Sequence, residues 1–171
     1  MRVPRTLGAY GMTMVLGLFS ASSLLPRCAP APAPAPTQAV VLNSVPTADC
    51  LTRTNAERTK RGMVALKVDT RVAAAARLHS AYQARTFTMT HTGANGSNAQ
   101  QRMTAAGFQS GWWGENVAAG QHDCAIVVTA WMGSLHHREN ILNPHFTVIG
   151  IGAVRSANGA LYWTMDLASP A

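Results

Sequence analysis

Phe146-Thr147-Val148-Ile149-Gly150-Ile151-Gly152-Ala153-Val154, then Asn158-Gly159, then Leu161-Tyr162-Trp163-Thr164-Met165-Asp166-Leu167 is the stretch that decides the fold class. Two runs of strand character flank an Asn-Gly pair, which tolerates the positive φ that a tight reversal demands, and together they predict an antiparallel hairpin. Gly150 and Gly152 interrupt the first run. Upstream of this hairpin the chain reads as mostly helical. With Glu115-Asn116-Val117 as a third strand, the expectation is an α+β layered domain.

Working back from the hairpin, Asp123 is placed to cap a helix through residue 132, with Ile126, Val127, Ala130 and Trp131 turned inward. A short helix over 135–142 ends at Asn143-Pro144. Asp49 is expected to cap a first helix through about residue 61, closed by Gly62, and an Ala-rich second helix covers 70–85. Between them, 63–68 reads as extended. Ser97 and Gln100 stand at capping-box spacing before a third helix over 98–106, which Gly107 stops. Gly111-Trp112-Trp113-Gly114 reads as a loop, with one tryptophan expected in the core and the other exposed.

The amino-terminal end carries Arg2 and Arg5 before an apolar run over 7–25, the pattern of a secretory signal, and the glycines in that run and Pro26 suit cleavage better than a stable membrane span. Residues 1–28 are therefore read as a signal peptide. Residues 29–46 are an Ala/Pro-rich spacer whose composition favours extended chain and forms no packed core. Residues 47–171 form the single folded domain, and the protein is expected to be secreted and extracellular. Fourteen Lys and Arg against seven Asp and Glu give +7, and loss of Arg2, Arg5 and Arg27 lowers this to +4. No basic run interleaved with aromatics accompanies that charge, so nucleic acid is not an expected partner.

Cys28 belongs to the leader or spacer, leaving Cys50 and Cys124 in the domain. In a secreted protein these two are the natural disulfide pair; two buried free thiols are the alternative.

The chemistry-bearing residues lie in three separated phrases: Thr90-His91-Thr92-Gly93, Gly114-Glu115-Asn116-Val117, and Trp131-Met132-Gly133-Ser134-Leu135-His136-His137. Two imidazoles suit a borderline divalent ion such as Zn2+, and a nearby carboxylate can either ligate it or fix a ring tautomer. Ser134 lacks any elbow motif and reads as a helix-capping residue rather than a nucleophile. The plainer reading gives His91 and Glu115 local hydrogen-bonding roles, and His79 is read as a hydrogen-bonded structural residue within the second helix. Asn95-Gly96-Ser97 meets the glycosylation sequon in a surface turn, and the same residues also read simply as a turn and helix start.

The order of these phrases resembles the CAP superfamily: the SCP domain of cysteine-rich secretory proteins, antigen 5 and pathogenesis-related 1 proteins, in its short microbial form. The resemblance runs from Asn55-x-x-Arg58 through Ala75-Ala76-x-x-His79-Ser80, His91-Thr92-Gly93, Gly114-Glu115-Asn116-Val117, His137-Arg138-x-Asn140-Ile141-Leu142-Asn143-Pro144 and Tyr162-Trp163-Thr164. It implies an α-β-α sandwich with an antiparallel sheet between helical layers. It also implies a cavity in which His91 and His137 hold a divalent cation beside Glu115, with Asn116 and Ser134 in the same region.

This chain departs from the family pattern in three places. Ser134 stands where the fuller pattern has a second glutamate, His136 replaces a glycine and adds a ligand or crowds the site, and Met165 replaces a glutamine. The functional expectation is a non-enzymatic secreted module that binds an extracellular lipid, sterol, envelope glycan or protein. A structural scaffold ranks second, and a metal-assisted hydrolase with Glu115 activating water ranks third.

Overall fold

The computed structural model describes residues 46–171. The expected signal peptide, nearly all of the spacer and Cys28 lie outside the described residues. The elements in order are α1 (Ala48–Thr59), β1 (Lys67–Val68), α2 (Thr70–Thr86), α3 (Ala99–Ala105), β2 (Ser110–Ala119), α4 (Cys124–Gly133), α5 (Leu135–Ile141), β3 (Val148–Arg155) and β4 (Leu161–Pro170). The sheet order is β1-β3-β4-β2. β3 and β4 form the predicted hairpin, with Gly159 at φ 88°, and β2 runs antiparallel to β4. The expectation of an antiparallel sheet needs one amendment: the two-residue β1 lies parallel to β3.

Strand alternation sorts the core into two faces. Leu161, Trp163, Met165 and Leu167 of β4 join Ile149 of β3 and pack against Cys50 of α1, Val127, Val128 and Trp131 of α4, and Ile141 of α5. The residues between them face the other layer: Ala168 packs with Val72 and Ala75 of α2 and Met103 of α3, while Tyr162 and Val154 meet Ala81 and Ala84. The result is the expected sandwich, helices on both faces of one mixed sheet.

Two glycines set the distance between α2 and the sheet. A Cβ at Gly150 would fall on the backbone of Val72 and Ala73, and one at Gly152 would sit 2.5 Å from the Cα of Arg77. Only glycine permits so close an approach, which explains why the strand run is broken twice. On the opposite face, Trp131 and Trp163 are fully buried, and their indole N–H groups donate to Val117 O at 3.2 Å and Gln121 O at 2.8 Å. Buried indoles are therefore hydrogen-bonded as well as packed.

Arg58 is buried without a carboxylate partner among the described residues. Its guanidinium donates to Val64 O at 2.9 Å, Ile141 O at 2.7 Å, Asn143 O at 3.0 Å and Phe146 O at 3.3 Å, tying α1 to the end of α5 and the loop beyond it. The pairing of Cys50 with Cys124 joins α1 to α4, as expected from a domain with two cysteines.

Several local expectations change. Helix α1 starts at Ala48 without a side-chain cap, so Asp49 lies in its first turn. The capping box at α3 is Asn98 with Gln101, one residue later than Ser97 with Gln100, because the Ser97 carbonyl already serves Gly93 N and Arg102. In α4, Val127, Val128 and Trp131 face inward while Ile126 and Ala130 are exposed. Trp112 and Trp113 lie in β2 rather than in a loop, and both are exposed, at 55% and 40%.

β2 is the edge of the sheet, and side chains reach its carbonyls. Gln100 donates to Ser110 O, Asn140 to Glu115 O and Trp131 to Val117 O.

Candidate functional site

Glu115 organises the site. Its strand position opposite Asp166 turns it toward the α2 layer, where its side chain is only 3% exposed. His91 reaches it from the loop after α2, with Nδ1 2.8 Å from Oε1, and Arg102 of α3 closes a salt bridge on Oε2. His79 Nε2 lies 3.8 Å from the same Oε2.

Arg102 builds the loop as well as the ion pair. One of its nitrogens donates to His91 O at 3.1 Å and Ser97 O at 2.7 Å, while the other meets Glu115. The absence of a side chain at Gly93 makes this possible, since a Cβ there would lie 2.7 Å from Ser97 Oγ and 3.0 Å from an Arg102 nitrogen. A buried carboxylate thus receives a guanidinium and an imidazole, the partners that a buried charge requires.

His137 comes from α5, on the opposite side of β2. Asn116, which is fully buried, donates to His137 O at 3.0 Å and accepts from Asn140 at 2.9 Å, while Asn140 also donates to Glu115 O. This amide lattice pins the start of α5 to the edge strand, so Asn116 positions the backbone of His137.

The electrostatics distinguish the histidines. His91 is held above the ordinary histidine range by its hydrogen bond to Glu115, against a smaller effect of burial. His137 is pushed below that range by burial first, then by the charges that His91 and His136 can carry. His79 is also lowered, chiefly by burial. Its Nε2 lies 2.7 Å from Thr90 O and donates to it when neutral, so the expectation of a hydrogen-bonded core histidine describes this residue.

The remaining candidates make no side-chain hydrogen bond to Glu115 among the described residues. His136 is 90% exposed beside Glu139. Ser134 occupies the N-cap position of α5 without a side-chain cap bond. Asn95 is exposed in the short turn Ala94–Gly96 at φ 57°. Among the described residues no group of three or more His, Cys, Asp or Glu is arranged to hold a metal ion. Glu115 is engaged by His91 and Arg102. Arg102 and Asp166 were not foreseen. Asp166 left a trace in the sequence, as the lone carboxylate in an apolar strand, whereas nothing in the spacing around Arg102 marks it.

Beside α5 lies an open groove of about 450 Å³, lined by Arg138, Glu139, Leu142, Asn143, Pro144 and His145. The His145 ring stacks on Trp112 at 4.1 Å between centroids, so the exposed tryptophan stands next to this groove. Among the described residues no helix is long and apolar enough to cross a membrane.

The profile of the family described as CAP, the cysteine-rich secretory protein family, matches residues 51–167. An uncharacterized protein of Bacillus subtilis (strain 168), YkwD, is 39% identical over 113 residues, which is 66% of this chain and 43% of that protein. The chain thus spans less than half the length of this relative. Among solved structures, an outer surface protein of Borrelia burgdorferi aligns with TM-score 0.68 at 21% identity, over 76% of this chain and 99% of the other. An extracellular protein containing an SCP domain from Bacillus anthracis aligns with TM-score 0.64 at 24% identity, over 70% of this chain and 39% of the other. These structural likenesses speak for the fold.

Proposed function

The chain is a member of the CAP family, and we propose that it works as a secreted binding module whose His91 and His137 hold a divalent cation such as Zn2+, while the neighbouring surface engages an extracellular lipid, sterol, envelope glycan or protein. The observation that carries the cation reading is the contact of His91 Nδ1 with Glu115. A neutral ring that donates from Nδ1 to a carboxylate keeps the Nε2 lone pair for a ligand, the arrangement that orients histidines around metals, and a bound cation would displace the proton that Glu115 favours on His91. Partial burial favours the neutral form of His137, the form that can ligate.

The donor set is thin. Two imidazoles fit a weakly held ion whose other positions are water, not a closed four-ligand structural site. Glu115 sits between Arg102 and His91, which favours it as an orienting residue over a base that activates water, and this places binding ahead of hydrolysis. The groove beside α5, next to the Trp112–His145 stack, supports a ligand surface near the same helix.

Titration of the purified full-length secreted protein with Zn2+ tests the reading. His91→Ala and His137→Ala are each expected to weaken binding by roughly tenfold or more, and His136→Ala to leave it within about threefold. Equal affinity in all four proteins overturns the cation site. Thermal stabilisation by members of a lipid, sterol and glycan panel tests the ligand surface separately. Zinc-dependent hydrolysis abolished by Glu115→Gln would instead establish the enzymatic reading.

A further inference from the structure

Asp166 is the one carboxyl group in the core that the proposed function leaves unused. It lies on β4 directly opposite Glu115 of β2, so the two side chains leave the sheet on the same face, within reach of each other. It is 0% exposed, and neither of its oxygens finds a hydrogen-bond donor among the described residues. On the other side its neighbour is Gly150 of β3, over which the backbone of α2 closes at Val72 and Ala73.

The surrounding charges are few. From α3 comes Arg102, whose guanidinium already meets Glu115. From α2 comes His79, held near neutral by burial and turned through Nε2 to Thr90 O. From the loop comes His91, which reaches Glu115. β3 contributes no charge at Gly150. One guanidinium balances one carboxylate, and a second buried negative charge in the same place would have no partner. A carboxyl group that retains its proton removes that charge and gains an O–H donor for the Glu115 carboxylate on the facing strand.

We infer that Asp166 is a neutral carboxylic acid at physiological pH, that it donates a hydrogen bond to Glu115, and that it is a positioning residue holding the Glu115 carboxylate toward His91 and Arg102. The inference is independent of whether a cation binds. Burial acts in the same sense, raising Asp166 well above the usual carboxylate range, with the nearby Glu115 charge adding to it. A protonated acid kept neutral by an apolar site so that it can donate is a known use of buried carboxyls.

Infrared spectroscopy of the full chain with carboxyl-labelled aspartate tests the protonation. The wild type at pH 7 is expected to show the carbonyl stretch of a protonated carboxylic acid, and Asp166→Asn to lack it. Absence of this band from the wild type overturns the proposal. The positioning role is read from the His91 ring N–H in the proton NMR spectrum, which the hydrogen bond to Glu115 is expected to shift downfield. Asp166→Asn, whose amide still donates, is expected to keep this signal, and Asp166→Ala to lose or broaden it. Retention of an unchanged signal in Asp166→Ala, or its loss in Asp166→Asn, defeats the positioning role. Should Asp166→Ala not fold, the infrared band and the Asp166→Asn spectrum still decide.

Discussion

Nδ1 of His91 lies 2.8 Å from Oε1 of Glu115, so a ring that is 61% exposed is tied to a carboxylate that is 3% exposed. The hydrogen bond favours the protonated ring, and the folded-state pKa of His91 is raised. Its stabilising effect is fully present below the unfolded histidine value, near pH 6.5, and is lost as pH rises through the folded value. Glu115→Gln should lower the His91 midpoint, measured by NMR titration, and flatten that part of the stability profile. An unchanged midpoint would refute the coupling.

The bridge between Cys50 and Cys124 spans 74 residues of sequence. Closing a loop of that length restricts the unfolded chain by about 4 kcal/mol in the chain-entropy treatment. Replacing both cysteines with alanine should reduce stability by that order in urea denaturation, with the fold otherwise retained.

Arg58 donates to four backbone carbonyls and has no carboxylate partner among the described residues. Arg58→Met leaves the buried acceptors Ile141 O and Phe146 O without their donor, at a cost of about 3–5 kcal/mol. Arg58→Lys keeps the charge but loses the planar fork, and should fall between the variant and the wild type. A destabilisation below about 1 kcal/mol in the methionine variant would show that water replaces the guanidinium.

Gly152→Ala places a Cβ 2.5 Å from the Cα of Arg77. The neighbour is backbone, so relief requires α2 to move away from the sheet, and a loss of about 3 kcal/mol is expected. Gly159→Ala meets no atoms, but at φ 88° it is strained by conformation alone and should cost about 1 kcal/mol. Comparing the two in thermal unfolding separates packing from backbone strain.

Much of this architecture can be read from local pattern. The hairpin follows from alternation around Asn158-Gly159, and the start of α4 from Asp123, whose carboxylate accepts from Ile126 N at 2.8 Å. Local pattern fails where two local solutions compete. Ser97 with Gln100 and Asn98 with Gln101 have the same spacing, and a contact that the spacing does not reveal, Arg102 with Ser97 O, decides between them. Trp112 and Trp113 resemble loop residues because glycines flank them, yet pairing with β4 extends the strand back to Ser110.

The candidate site divides in the same way. His91, Glu115 and His137 stand in recognisable phrases, while Arg102 and Asp166 reach Glu115 only through tertiary packing. Ile126 and Ala130 turn outward for a related reason. α4 meets α1 through the disulfide and the sheet through Val127 and Trp131, which fixes its rotation independently of where its apolar residues are densest.

The side chains that reach β2 bear on how this protein behaves at high concentration. An edge strand with free carbonyls is a template for pairing with a second copy, and exposed Trp112 and Trp113 would make that template adhesive. Gln100, Asn140 and Trp131 occupy three of those carbonyls from within the same molecule. The amide that seats α5 therefore also guards against self-association, so an Asn140→Ala protein is expected to aggregate at concentrations where the wild type remains monodisperse in light scattering.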